Sequence, residues 1–273
     1  MTRIPAHLLN DGRTIPAMGF GTYRVHADAV QSAIGCGYRL IDTALNYKNE
    51  AEVGAGIVAS GVPREELFVT TKLPGRHHGY DEAMGSLAES LAGLGLDYVD
   101  LYLIHWPIPR VDKFVETWRA MIAMRDAGLT RSIGVSNFTQ AHLARLIEET
   151  GVTPAVNQIE LHPHFGQSEL RAFHAEHGIV TESWSPLGRR FELLGNEVIT
   201  RVAADHGVSP AQAVLRWHIQ LGSVPIPRSA HAERQRENFD VFGFELTDAQ
   251  MAEISSLQSG RLWDGDPDTH EEF

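Results

Sequence analysis

Short apolar, β-rich runs alternate with stretches of helical spacing from about Tyr38 to Ile226, and this alternation limits the possible folds more than any other feature. A strand, a helix and a further strand in succession join their strands in parallel, because the helix carries the chain back to the starting edge. Strands are expected at Tyr38–Asp42, Leu67–Lys72, Val99–His105, Ser132–Val135, Ala155–Ile159, Ile179–Ser183 and Ser223–Ile226. Helical spacing covers Asp81–Leu94, Val111–Ala127, Gln140–Glu149, Ser168–His177 and Pro210–Gln220. Ser209 supplies a cap for the last of these, and Pro210 suits its first helical position. Seven strands read clearly, and the ambiguous run Phe191–Leu194 is the candidate for an eighth. Upstream, His7–Leu9, Asn10-Asp11-Gly12 and Thr14–Ile15 read as a β-hairpin that would cover one end of a barrel. No Pro/Gly/Ser linker or low-complexity tract divides the chain. Residues 1–273 are therefore expected to form a single (β/α)8 TIM-barrel domain, a fold that typically takes ~250 residues.

Charge narrows the function classes. With 23 basic and 35 acidic residues, the net charge of −12 argues against nucleic-acid binding, which favours a basic excess. No run approaches the roughly 18 apolar residues of a membrane span, and the N-terminal segment lacks the apolar core of a signal peptide. Cys36 is the only cysteine, so no internal disulfide can form. A cytoplasmic location is expected.

Four polar residues stand out by position. Asp42 ends the run YRLID, and Tyr47 follows in the next loop. Lys72 ends LFVTTK, and His105 ends VDLYLIH. The strands of an α/β barrel point the same way, so these residues reach one rim, where barrel enzymes place their active sites. A phenol ordinarily titrates near pH 10, and a neighbouring ammonium favours its ionised form. Tyr47 can thus serve as a general acid with Lys72 tuning it, Asp42 pairing the lysine and His105 orienting a carbonyl substrate. Taken singly, each has a structural reading: a cap, a solvated strand end, a core histidine, a surface aromatic. Their joint placement points to proton delivery onto a carbonyl oxygen.

The sequence also resembles the aldo-keto reductases along nearly its whole length. The matching segments, in order, are GYRLIDTALNYKNE (37–50), LYLIHWP (101–107), IGVSNF (133–138), NQIELHP (157–163) and IPRSAHAERQRENFDVFGFELT (226–247). SWSPLGR and the short C-terminus are similar to the bacterial branch that contains diketogluconate reductases. The resemblance implies a catalytic tetrad at Asp42, Tyr47, Lys72 and His105, and NADPH as cofactor, with NADH as the alternative. It places Ser136, Asn137 and Gln158 around the nicotinamide carboxamide, and Trp184 in the position that stacks on the nicotinamide. Ser185, Leu187 and Gly188 match the loop over the pyrophosphate. Arg228, Ser229 and Arg234 match the 2′-phosphate group, Glu237 and Asn238 the adenine contacts, and Gly21, Thr22 and Tyr23 the first loop beside the cofactor. Tyr23, Leu73 and Trp106 are expected to line the substrate pocket. His231 and Arg228 stand where relatives often carry arginine and lysine, and Leu73-Pro74 where many carry tryptophan. The resemblance further implies a monomer acting on small carbonyl compounds.

The arginines bear on the cofactor independently of the resemblance. Arg228, Arg234 and Arg236 cluster in an acidic chain, and a guanidinium offers a rigid fork of donors suited to phosphate. The alternative is a solvated helix face balanced by Glu233 and Glu237.

Two motifs carry no function. Gly54-Ala55-Gly56-Ile57-Val58-Ala59 fits a dinucleotide fingerprint but lacks the preceding strand, and it sits inside a helical pattern. The pairs His77-His78 and His162/His164 offer no converging third ligand, so no metal site is expected. A nucleotide-sensing barrel with little turnover is the alternative from another class; an intact tetrad argues against it.

Overall fold

A computed structural model of the chain describes residues 4–188 and 192–272. Two short strands, β1 (Ala6–Leu8) and β2 (Thr14–Pro16), form the antiparallel hairpin. Eight parallel strands follow: β3 (Gly19–Gly21), β4 (Leu40–Asp42), β5 (Phe68–Leu73), β6 (Val99–Ile104), β7 (Thr130–Ser136), β8 (Val156–Glu160), β9 (Val180–Trp184) and β10 (Val224–Pro225). They pair in chain order, each with the next. The Gly21 N–H donates to Pro227 O at 3.1 Å, which brings the first strand against the end of the last and nearly closes the barrel.

Helices cover the outside. α1 (Ala27–Cys36), α2 (Glu50–Ala59), α3 (Tyr80–Leu94), α4 (Phe114–Asp126), α5 (Gln140–Thr150) and α6 (Ser168–Glu176) return the chain between successive strands. α7 (Glu197–His206) and α8 (Pro210–Gln220) both lie between β9 and β10, and α9 (Ala232–Phe239) and α10 (Asp248–Ser255) follow. Ser209 with Gln212, Thr139 with His142, and Thr247 with Gln250 form reciprocal capping boxes, each satisfying two otherwise unpaired N–H groups. Gly54, inside α2, has a packing role: a Cβ there would overlap the Leu94 carbonyl at the end of α3.

The eighth strand is β3, not the run Phe191–Leu194. Phe191 lies outside the described residues, and Glu192–Gly195 forms a 3-10 turn. β3 reads Gly-Phe-Gly, so two of its three residues contribute no side chain to a hydrophobic pattern. The space explains the composition: a Cβ on Gly19 would stand 2.7 Å from the Leu40 side chain.

Two of the four apolar clusters among the described residues position the site. One lies between barrel and helices, built on Phe20, Ile34, Tyr102, Trp118 and Phe138. The other gathers Leu9 and Ile15 of the hairpin region with Leu40, Phe68, Leu101, Val156 and Val224, most of them at the N-terminal ends of their strands. The hairpin therefore plugs the lower end, anchored by the Asn10 amide donating to Pro154 O and the Ser132 hydroxyl to the Asp11 carboxylate. The opposite rim stays free for chemistry.

Candidate active site

Four strands meet inside the barrel through one polar network. The Lys72 ammonium, fully buried, donates to both oxygens of Asp42 (2.6 and 2.8 Å) and to Thr43 O (2.9 Å). The Gln158 amide donates to Asp42 Oδ2 at 2.8 Å and to Glu182 Oε2 at 3.0 Å. β4 and β8 are not neighbours in the sheet, so the Gln158–Asp42 bond crosses the barrel interior. Tyr47 closes a 3-10 turn, Leu45–Tyr47, directly after β4, and the Lys72 ammonium stands 5.2 Å from its ring centroid. His105 follows β6, held by its N–H to Leu73 O at 3.0 Å, with its ring 6.0 Å from that of Tyr47. All four expected catalytic residues thus converge on one rim.

Their electrostatics are unequal. Burial, the largest single influence, would lower the Lys72 pKa, but the Asp42 carboxylate together with Tyr47 and Glu182 outweighs it and holds the ammonium above its ordinary value. Burial raises the Tyr47 hydroxyl; Lys72 pulls it down, while Asp42 and Glu272 add to the rise. Glu182, which sequence reasoning missed, is fully enclosed. Burial, reinforced by Asp42, pushes its carboxyl up to about 8, and its Oε1 has no hydrogen-bond partner. Two carboxyls and one ammonium share the interior, so Glu182 keeps its proton at neutral pH.

An open pocket of about 650 Å³ lies over Tyr47, lined also by Tyr23, Asn46, Lys48, Arg76 and Glu272. Tyr23 meets Tyr47 edge to face at 5.1 Å. Trp106 is buried beneath the C-terminal tail, its ring 4.0 Å from that of His270. Leu73 corrects an expectation. It is fully buried in the core between barrel and helices and offers the pocket no surface. The cause is strand alternation, since Lys72 points into the barrel and its neighbour must point out.

The residues matched to a dinucleotide lie along the same rim. Ser136 donates to Gln158 O (2.8 Å). Asn137 donates to His105 O and to Ser136 Oγ (both 3.0 Å) and accepts from the Trp184 indole (2.8 Å). Among the described residues the hydrogen bonds of the Gln158 side chain are donated by its amide nitrogen, and none is accepted by Oε1. Asn137 and Ser185 have φ of +63° and +51°, a conformation that non-glycine residues adopt at a cost and that clusters at functional sites. Thr22 is buried, its hydroxyl spent on Asp42 O (2.9 Å), and Gly21 lies against Ile226 and Arg228. Leu187 is half-buried, and Gly188 turns the chain at φ +73°. Ser229 and Asn238 are buried, while Glu237 is exposed. Arg228, Arg234 and Arg236 are exposed and form no ion pair, with Glu233 and Glu237 or otherwise, among the described residues. Among those residues no group of three or more potential ligands could hold a metal ion.

The model of the aldo/keto reductase family matches residues 17–259. The chain belongs to the aldo/keto reductase family. It is 60% identical over its full length to the full length of 2,5-diketo-D-gluconic acid reductase B of Corynebacterium sp.. A crystal structure of an aldo/keto reductase from Brucella melitensis superposes with a TM-score of 0.90 at 49% identity, covering 94% of this chain and 100% of that one. The Bombyx mori aldo-keto reductase in complex with NADP superposes with a TM-score of 0.90 at 40% identity, covering 97% and 96%. Membership makes this chain an oxidoreductase, and no helix among the described residues is long and apolar enough to cross a membrane.

Proposed function

We propose that this aldo/keto reductase converts aldehydes, ketones and dicarbonyls to alcohols at the expense of NADPH, with Tyr47 as the proton donor. The fully buried Lys72 ammonium carries this reading: it is locked to Asp42 and set 5.2 Å from the Tyr47 ring at the foot of an open pocket. A raised Tyr47 pKa means that the phenol holds its proton at neutral pH and has it to give. Once the proton moves to a carbonyl oxygen, the phenolate left behind faces a fixed cation that needs no reorganisation. His105, beside Tyr47, orients the oxygen, and Tyr23 and Trp106 shape the wall around it.

The residues present fit the cofactor. Gln158 Oε1, which accepts no hydrogen bond among the described residues, suits a carboxamide N–H, with Ser136 and Asn137 holding its surroundings. Trp184 is pinned by its indole N–H at the strand end with its ring half-exposed, as a stacking platform requires. Ser185, Leu187 and Gly188 would pass over the pyrophosphate. Gly21 and Thr22 would lie beside it, and Ser229, Glu237 and Asn238 around the adenosine end. Arg228 and Arg234, exposed and without acidic partners, suit a 2′-phosphate, which favours NADPH over NADH. When bound, NADPH supplies the hydride that reduces the carbonyl carbon. The NADP complex of the Bombyx mori relative supports this assignment, and the Corynebacterium relative's name supports keto-sugar compounds among the substrates. The chain works as a cytoplasmic monomer with the whole reaction on one barrel domain.

The test follows NADPH absorbance with phenylglyoxal for the wild type and Tyr47→Phe. Loss of a general acid costs roughly 10²–10⁴ in rate, so the variant should fall by at least about a hundredfold while still binding NADPH. Undiminished reduction by Tyr47→Phe would remove the proton-donor role. Failure of the wild type to bind NADPH would remove the cofactor.

A further inference from the structure

The acidic C-terminal tail is built into the site. The Leu262 and Trp263 N–H groups donate to the buried Glu160 Oε1 at 2.7 and 3.2 Å. Gly265 then closes on the Trp106 ring so tightly that a Cβ would stand 2.7 Å from it. His270 packs on the same ring at 4.0 Å, and Glu271 pairs with Arg110. These contacts deliver Glu272 into the catalytic pocket. Its Oε1 accepts from the Asn46 amide at 2.6 Å and lies 2.7 Å from His105 Nδ1. Its Oε2 is buried with no hydrogen-bond partner. Burial would raise its pKa, yet His105, Asn46 and the Gly75 N–H hold it below the ordinary carboxylate value, so Glu272 is charged at neutral pH. The cations Lys48 and Arg76 line the same pocket, but neither forms an ion pair with Glu272, and Arg76 is bound to Asn46.

We propose that Glu272 is a specificity-determining residue, an internal carboxylate that selects against carbonyl substrates bearing a carboxylate beside the reacting carbon. The proposal rests on the reading that the carbonyl oxygen docks between Tyr47 and His105. A 2-oxo acid docked there brings its carboxylate to the wall that Glu272 occupies, and like charges in a partly desolvated pocket repel strongly. The alternative, withdrawal of the tail, gives up the Asn46, His105 and Arg110 contacts. Either route handicaps the acid and leaves a neutral analogue of the same shape unhindered.

The experiment compares phenylglyoxylate with its methyl ester, which differ in charge at one carboxyl, using the full chain as wild type, Glu272→Gln and Glu272→Lys. The acid-to-ester ratio of kcat/KM should rise at least tenfold in Glu272→Gln and further in Glu272→Lys, mainly through KM for the acid. Calorimetric titration of the cofactor-free protein with benzoate gives a readout independent of turnover, and Glu272→Gln should bind benzoate at least tenfold tighter. An unchanged ratio with unchanged benzoate affinity overturns the proposal. So does equal loss of activity on both compounds, because Glu272 would then position Tyr47 or His105. If the wild type reduces no carbonyl compound, the proposed function fails, and the benzoate titration still decides whether Glu272 guards the pocket.

Discussion

Replacing Lys72 by Met removes the one ammonium from the barrel interior and keeps most of its volume. The wild-type ammonium makes three hydrogen bonds, two to Asp42 and one to Thr43 O, with no exposed side-chain surface. Without it the Asp42 carboxylate keeps the Gln158 amide as its side-chain donor, and Glu182 stands close by. Breaking a buried pair by removing one partner costs about 3–5 kcal/mol, most of it the uncompensated charge. For a domain of this size each kcal/mol lowers the melting temperature by about 2–4 °C, so the fall should be of order 10 °C. The double variant Lys72→Met/Asp42→Asn removes the stranded charge as well and should recover more than half of the loss. Thermal unfolding followed by circular dichroism measures both, with carbonyl reduction absent in each. A double variant no more stable than the single one would show that volume and packing, not an unpaired charge, dominate at this position.

Two further outcomes follow from the same rim. Arg228→Ala and Arg234→Ala should each lower the NADPH-to-NADH ratio of kcat/KM by about ten- to a hundredfold, since a charged hydrogen bond contributes about 1.5–3 kcal/mol; an unmoved ratio in steady-state kinetics would place the 2′-phosphate elsewhere. Glu182→Gln should flatten the pH dependence of stability. The folded carboxyl holds its proton up to about pH 8, whereas the unfolded one sheds it near 4.5, so between those limits wild-type stability falls by about 1 kcal/mol per pH unit. Denaturant titrations at pH 5 and pH 8 that gave the same difference for both chains would contradict the buried-proton assignment.

What the sequence reveals and what it hides divide along one physical line. Seven strands were legible because parallel strands buried on both faces must be continuously apolar, a property of neighbours in the chain. β3 was not, because its glycines are set by contact with Leu40, Ile226 and Arg228 in other segments. Likewise the tetrad could be found from Asp42, Lys72 and His105, since parallel topology alone puts strand ends on one face. Leu73 faces the helices because strand alternation turns it away from Lys72, a local rule legible in the sequence itself. Glu182 and Glu272 obey no local rule. Their donors, Gln158 for one and Asn46 for the other, lie 24 and 226 residues away. A buried carboxylate is tolerated only where such distant donors converge, so its position in the chain leaves no periodic trace.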